Sequence, residues 1–253
     1  MLNSVQGWLD RRGRHSAARQ WSRLAGLGGG AHAGLRDEAR ALHADLARFL
    51  QLADAALPRD PQPAGLPPGT DWHWRPPLLG GAALPQGLVA PDSGQRLGEG
   101  VALWHDCPHR AVILRQIRNR RGDLAPYAAR LEVMGFSGSY LSLALDLPGD
   151  IPGGLGREQI LRLEAQFAAE RPVTVYARLN LAQGPDTMTM LRQLGDPLAG
   201  PDCRRLTEFD LDYAGLSARP VERAWLDLIV EAPAMNALTL GELLLSRHPR
   251  AQV

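Results

Sequence analysis

In the stretch VALWHDCPHRAVILRQIRN, residues 101–119, His105, Cys107 and His109 stand two apart beside Asp106. On an extended chain that spacing turns like-facing side chains to one side, and imidazole and thiolate are zinc ligands. Two features weigh against a metal. Pro108 interrupts a regular strand, and no other Cys-x-x-Cys or His-x-x-x-His pair supplies a familiar second half. A thiol nucleophile at Cys107 would need an orienting group and an oxyanion hole, and nothing in the sequence identifies either. We expect no metal and no cofactor here, with these residues serving structurally at the start of the strand AVILRQIRN.

A second polar group is more suggestive. YARLN presents Tyr176, Arg178 and Asn180 on one face of a strand. RQIRN adds Arg115 and Asn119, or Gln116 and Arg118 if the opposite parity is exposed. Aromatic, guanidinium and amide groups on a sheet face can bind a glycan or a carboxylate. They can equally support a solvated sheet or receive a helix. The tryptophans of DWHWRPP, Trp72 and Trp74, supply large contact area, either to pin their segment across the body or to stack a sugar. Trp72, Trp74, Tyr176, Arg178 and Asn180 are therefore the candidate ligand-binding residues. Asp146, Asp210, Asp212, Asp227 and Glu231 offer carboxylates, and a facing pair could run glycoside hydrolysis. Sequence gives no distance between them, so no catalytic residue is assigned. Walker, dinucleotide-binding, G-x-S-x-G and H-E-x-x-H patterns are absent.

The elements that must position these groups fall into three stretches. Residues 1–57 carry helical periodicity: Leu2, Val5 and Leu9 share a face, and Leu35, Ala39, Leu42, Leu46, Phe49 and Ala53 recur at helical spacing. GLGGGAHAG separates the two helices. Residues 58–100 are punctuated by proline and glycine and read as a linker or covering segment. From residue 101 to 253 the period changes to two. Leu141, Leu143, Leu145 and Leu147 oppose Ser142, Ala144 and Asp146, and similar alternation returns in PVTVYARLNL, TEFDLDY, AWLDLIVEAP and LTLGELLLSR. One buried and one wet face per strand is typical of antiparallel sheets. The expected fold is mainly β: an antiparallel β-sandwich, jelly-roll-like, preceded by a two-helix arm. REQILRLEAQFAAERP fits strand or helix, with its neighbours favouring strand. DTMTMLRQLGD could be a helical turn between strands.

Composition sets outer bounds. A net charge of +1 over 253 residues gives no global pull toward nucleic acid, and no nucleic-acid module spacing is present. The two cysteines cannot define a disulfide framework. No secretory signal or run of 18 apolar residues stands out, so a cytoplasmic setting is expected. The first helix, with Arg11, Arg12, Arg14, Arg19 and Arg23 beside Trp8 and Trp21, could meet an anionic membrane or pack against protein.

The combination of LWHDC, RQIRN, APYAARLEVMGFSGSYLSLALDLP, YARLNLAQGPDT, EFDLDY and AWLDLIVEAPAMNALTLGELLLSRHPRA resembles an uncharacterised family of soluble alphaproteobacterial proteins of the Rhodobacter type. The resemblance covers most of the chain and implies a bacterial cytoplasmic protein, but carries over no activity. The functional expectation is a non-catalytic binding or assembly protein, with a glycan or a partner protein as ligand. The alternatives are a glycoside hydrolase and a peripheral-membrane or protein-interaction adaptor acting through the basic arm. Self-association through residues 1–57 is a further expectation.

Overall fold

A computed structural model of the chain describes residues 2–26, 33–56, 65–119, 125–149, 151 and 154–250. The chain divides into two units, Met1–Leu50 and Gln51–Val253. Helix α1 spans Leu2–Gly26 and α2 spans Ala33–Ala56. On α1, Arg12, Arg14, Arg19 and Arg23 are exposed and Trp21 is half-buried. On α2 the apolar stripe runs from half-buried Leu35 and Ala39 to exposed Leu42, Leu46 and Phe49. The Trp8 side chain and residues 27–32, which hold the rest of the GLGGG turn after Gly26, lie outside what the structure describes. Among the described residues no helix is long and apolar enough to cross a membrane.

The second unit is built from thirteen strands among its described residues. They are β1 (Trp72–Trp74), β2 (Gly87–Val89), β3 (Gln95–Arg96), β4 (Val101–His105) and β5 (Val112–Arg118). β6 (Tyr127–Val133), β7 (Leu141–Asp146), β8 (Gln159–Val173) and β9 (Val175–Gln183) follow. β10 (Asp186–Gln193), β11 (Leu198–Asp210), β12 (Arg223–Val230) and β13 (Asn236–Pro249) complete the set. A short helix, α3 (Pro77–Gly80), follows β1. One sheet has the order β11-β8-β13-β6-β5-β2, with β1 paired to β13; the other runs β10-β9-β12-β7-β4-β3. Every described ladder is antiparallel. Successive strands pass repeatedly from one sheet to the other, giving the expected antiparallel sandwich of jelly-roll kind.

Alternation explains why these segments are strands. In β8, Leu161, Leu163, Ala165 and Phe167 are all buried. Burying a large apolar side chain contributes about 2 kcal/mol, and a helix through the same residues would turn half of that set to solvent. The same period buries Leu179 and Leu181 on β9 and Leu226 and Leu228 on β12, so the two inner faces share one core.

Two expectations change. DTMTMLRQLGD is not a helical turn, since Asp186–Gln193 pairs throughout with β9 as an edge strand. The alternation in TEFDLDY stops at Asp210, where the chain enters a 3-10 turn, Leu211–Ala214, and the Asp210 carboxylate accepts the Asp212 N–H. Residues 65–100 contribute β1, β2 and β3 and bury Leu78, Leu79, Leu88 and Leu97.

Among the polar anchors that tie residues 65–100 to the rest of the sandwich, two reach furthest into the core. Gln116 on β5 receives the Ala83 N–H (2.8 Å) and donates to the carbonyls of Leu78 and Gly81. On β13, the buried Arg247 guanidinium holds both oxygens of Asp71 at 2.8 Å and also donates to the Gly154 carbonyl. The Arg247 side chain is 3% exposed and that of Asp71 is 55% exposed. Hydrogen bonds from Arg247 hold the Asp71 carboxyl below the usual carboxylate range. Asp71→Asn leaves a buried guanidinium without its counter-charge. Because Asp71 is itself half exposed, the expected loss is about 2 kcal/mol rather than the larger cost of a fully buried pair. A carboxyl whose folded pKa is depressed stabilises the fold above its unfolded value, near 3.9, and less as pH falls through the folded value. Urea unfolding of wild type and Asp71→Asn should therefore show a stability gap at pH 7 that narrows below about pH 4.

Candidate functional site

Burial of one parity on the six-stranded sheet sends the other parity to its outer face. On β12 this places Trp225, Asp227 and Ile229 outward; on β7 it places Ser142, Ala144 and Asp146 outward. Ala102 and Trp104 on β4 and Arg178 on β9 share the face. Register aligns them in rows across the strands. Arg178, Asp227, Ala144 and Ala102 form one row, and Ile229, Ser142 and Trp104 lie in the next. The small side chains of Ala102, Ser142 and Ala144 make a low floor, while Trp104 and Tyr140 rise on one side. The result is a groove of about 550 Å³ on the outer face of this sheet.

The aromatic wall is open to solvent: Trp104 is 47% exposed and Tyr140 is 41% exposed. Each is positioned by its backbone surroundings. Gly94 has φ +82° and packs under the Trp104 indole, so closely that a Cβ there would lie 3.0 Å from the ring. Tyr140 stands in the loop before β7. There Asp106 accepts the Ser139 N–H at 2.7 Å, the Tyr140 N–H at 3.1 Å and the Ser139 hydroxyl. The hydrogen bonds from the Ser139 hydroxyl and the Tyr140 backbone keep the Asp106 carboxyl below its ordinary range.

Two ion-pair groups line the opposite side and end of the groove. Arg178 donates Nε and Nη2 to Asp227 Oδ2, at 3.0 and 2.8 Å, and Asn180 donates to the same oxygen at 2.9 Å. Asp146 is shared: Arg223 reaches one oxygen at 2.7 Å and Arg96 the other at 3.0 Å. Burial opposes the Asp146 charge, but those two guanidiniums outweigh it and lower the carboxyl below the usual range. Arg223 also lies over the Trp225 ring, 5.0 Å from its centroid.

The structure separates the residues singled out from sequence. Arg178 lines the groove. Asn180 is buried beneath it as a support, and Tyr176, beside Ile229, bonds Glu231 at 3.4 Å. Trp72 and Trp74 are on the other sheet, half-buried against the core beside β13. The five are not brought together. Arg115 of β5 is also on the seven-stranded sheet, paired with Glu132, while Gln116 is buried. Trp104, Tyr140, Trp225, Arg96 and Arg223 are the groove residues that sequence reasoning missed. For Trp104, Arg223 and Trp225 the signal is an aromatic or arginine at the outward parity of an alternating strand, most visible at Trp225 in AWLDLIV, whereas Tyr140 in a loop and Arg96 on a two-residue strand carry no such pattern.

The opening histidine–cysteine stretch splits between buried and exposed side chains. The His105 ring is buried against Phe136 and its Nε2 lies 3.0 Å from the Pro91 carbonyl. His109 is exposed. Burial pushes the Cys107 thiol up, yet backbone N–H groups of Ala111, Ser137 and His109 outweigh this and bring its pKa to about 7. Among the described residues, no three His, Cys, Asp or Glu side chains are grouped to hold a metal ion.

The whole sequence, residues 1–253, matches DUF6478, a family of unknown function. The chain belongs to the DUF6478 family. No curated protein matches this DUF6478 sequence. Several solved structures are similar to it. The xylan-binding domain from Paenibacillus barcinonensis has 10% identity and a TM-score of 0.40, over 65% of this chain and 94% of that one. The family 11 carbohydrate-binding module of a cellulosomal cellulase from Clostridium thermocellum has 7% identity and a TM-score of 0.40, over 61% and 90%. The enzymatically active domain of tailspike protein 4 from bacteriophage CBA120 has 10% identity and a TM-score of 0.39. That match covers 60% of this chain and spans only 20% of the tailspike chain. These likenesses concern the fold.

The Gly94 contact makes the groove wall testable. An alanine at φ +82° is strained and pushes on the Trp104 ring. Gly94→Ala should cost about 1–2 kcal/mol and displace the indole. Urea unfolding measures the first effect, and a change in the Trp104 contribution to fluorescence measures the second.

Proposed function

We propose that this DUF6478 protein is a non-catalytic carbohydrate-binding protein that holds a glycan along the groove of its six-stranded sheet. The carrying observation is the pair of exposed aromatic rings, Trp104 and Tyr140, beside a floor of small side chains and facing fixed polar groups. Flat apolar rings offer surface for the C–H faces of a pyranose, and guanidinium and carboxylate groups can bond its hydroxyls. An apolar concavity with a few convergent polar groups is the usual form of a ligand site. From β9 to β4 the face spans about 14 Å at ordinary strand spacing, which suits a chain of sugars better than one ring. In this reading Arg178 contacts the ligand, Asn180 and Tyr176 support and flank it, and Trp72 and Trp74 stay in the fold.

The groove's chemistry favours binding over hydrolysis. A glycosidase general acid needs a raised pKa. Asp146 is lowered instead, and Asp227 is held by Arg178 and Asn180. Both cysteines are free and buried, which supports a cytoplasmic setting as part of the proposal.

The test is affinity electrophoresis of the full chain against a broad polysaccharide panel. Trp104→Ala should weaken any binding at least tenfold, about 1.4 kcal/mol or more, with little change in folding stability because the ring is half exposed. Retardation unaffected by Trp104→Ala would count against this groove.

A second reading concerns the arm. The exposed Leu42, Leu46 and Phe49 of α2 form an apolar stripe suited to another protein or a second copy. If the stripe drives self-association, Leu46→Glu with Phe49→Glu in the full chain should lower the mass measured by light scattering. A monomeric mass for the wild type would end that reading.

A further inference from the structure

The groove holds more positive charge than its own ion pairs need. Three guanidiniums, those of Arg96, Arg178 and Arg223, line it with two carboxylates, Asp146 and Asp227. Arg178 is matched by Asp227, which takes two of its nitrogens on one oxygen. Arg96 and Arg223 instead share Asp146, each giving it a single nitrogen. Among the described residues neither has a second hydrogen-bond acceptor, although a guanidinium carries five N–H donors. Their side chains are 55% and 59% exposed, so the remaining donors face solvent at the groove. The count at this end is two positive charges to one negative.

On the glycan-binding reading, we infer that the groove selects an acidic glycan, one whose sugar rings carry carboxylates. A uronate carboxylate would neutralise the surplus charge and accept the donors that Asp146 leaves open. Arginine suits this task because its planar fork matches a carboxylate, and such charge-assisted bonds exceed neutral ones in strength. The Trp225 ring beneath Arg223 restricts where that fork can lie. A neutral glycan laid over the same surface would remove water from the two arginines without supplying a counter-charge, and that loss works against binding. The protein's overall charge is only +1, so the preference belongs to this groove and not to the whole surface. The pairs are exposed, so the preference should weaken as salt rises.

The experiment uses the full chain and calorimetry with polygalacturonate, alginate and hyaluronan, each beside its carboxyl-methyl-esterified form. Neutral xylan, galactan and β-glucan and sulfated dextran complete the panel. At least one uronate polymer should bind, with esterification reducing its affinity at least about tenfold. Arg96→Gln with Arg223→Gln should shrink the gap between acid and ester, while Trp104→Ala should weaken both forms. Wild-type protein alone decides the main comparison, so a poorly folded double variant would not rescue the inference. Equal binding of acid and ester, or binding confined to neutral polymers, overturns the acidic preference and leaves the glycan reading intact. Binding of sulfated dextran without any uronate overturns the carboxylate assignment. No binding across the panel overturns the glycan reading itself.

Discussion

Burial of Leu226, Leu228 and Val230 is the constraint on which the groove depends. Successive side chains on a strand point to opposite faces, so placing those three in the core compels Trp225, Asp227 and Ile229 onto the outer face. The same rule acts on β7, where Leu141, Leu143 and Leu145 face inward and Ser142, Ala144 and Asp146 face outward. A one-residue slip would exchange the two sets and lose both core and groove at once. Antiparallel pairing of β9, β12, β7 and β4 then fixes which outward residues become neighbours. Packing of the inner parity thereby sets the positions of the groove's outward groups.

Polar groups beneath the surface hold this arrangement in place. Asp227 is almost fully buried, and such a charge is tolerated only when paired and hydrogen-bonded. Arg178 and Asn180 meet that requirement from the adjacent strand, which also directs the Arg178 guanidinium along the sheet. Asp106 does comparable work outside the sheet, gathering Ser139 and Tyr140 so that the Tyr140 ring stands beside Trp104. Arg247 ties Asp71 and residue 154 to β13 at a different part of the sandwich. That anchoring explains why a proline-punctuated segment can contribute paired strands.

The fold was largely legible because its core alternates over long stretches. Leu141 to Leu147 and Val173 to Leu181 disclose their buried parity without any tertiary information, and their polar partners disclose the outer face. DTMTMLRQLGD was harder. As an edge strand with exposed Leu191 and buried Met190, it lacks the clean apolar period of a central strand. The groove was only partly legible for a different reason. Arg178 could be placed on an outward face, but nothing local says that Trp104, Arg96 and Trp225 lie across from it. Those neighbours are created by pairing between strands far apart in sequence. Trp72 and Trp74 show the converse: two tryptophans in a polar segment look available for a ligand, yet pairing to β13 turns them against the core.

The account's central claim is that the ligand surface is the outer face of the six-stranded sheet. The chain's six tryptophans provide six indole N–H signals that can be resolved and assigned by nuclear magnetic resonance. Titration with a bound oligosaccharide is the most direct measurement. The account predicts that the signals of Trp104 and Trp225 shift together while those of Trp72 and Trp74 stay in place. Shifts confined to Trp72 and Trp74, with Trp104 and Trp225 unmoved, would contradict it.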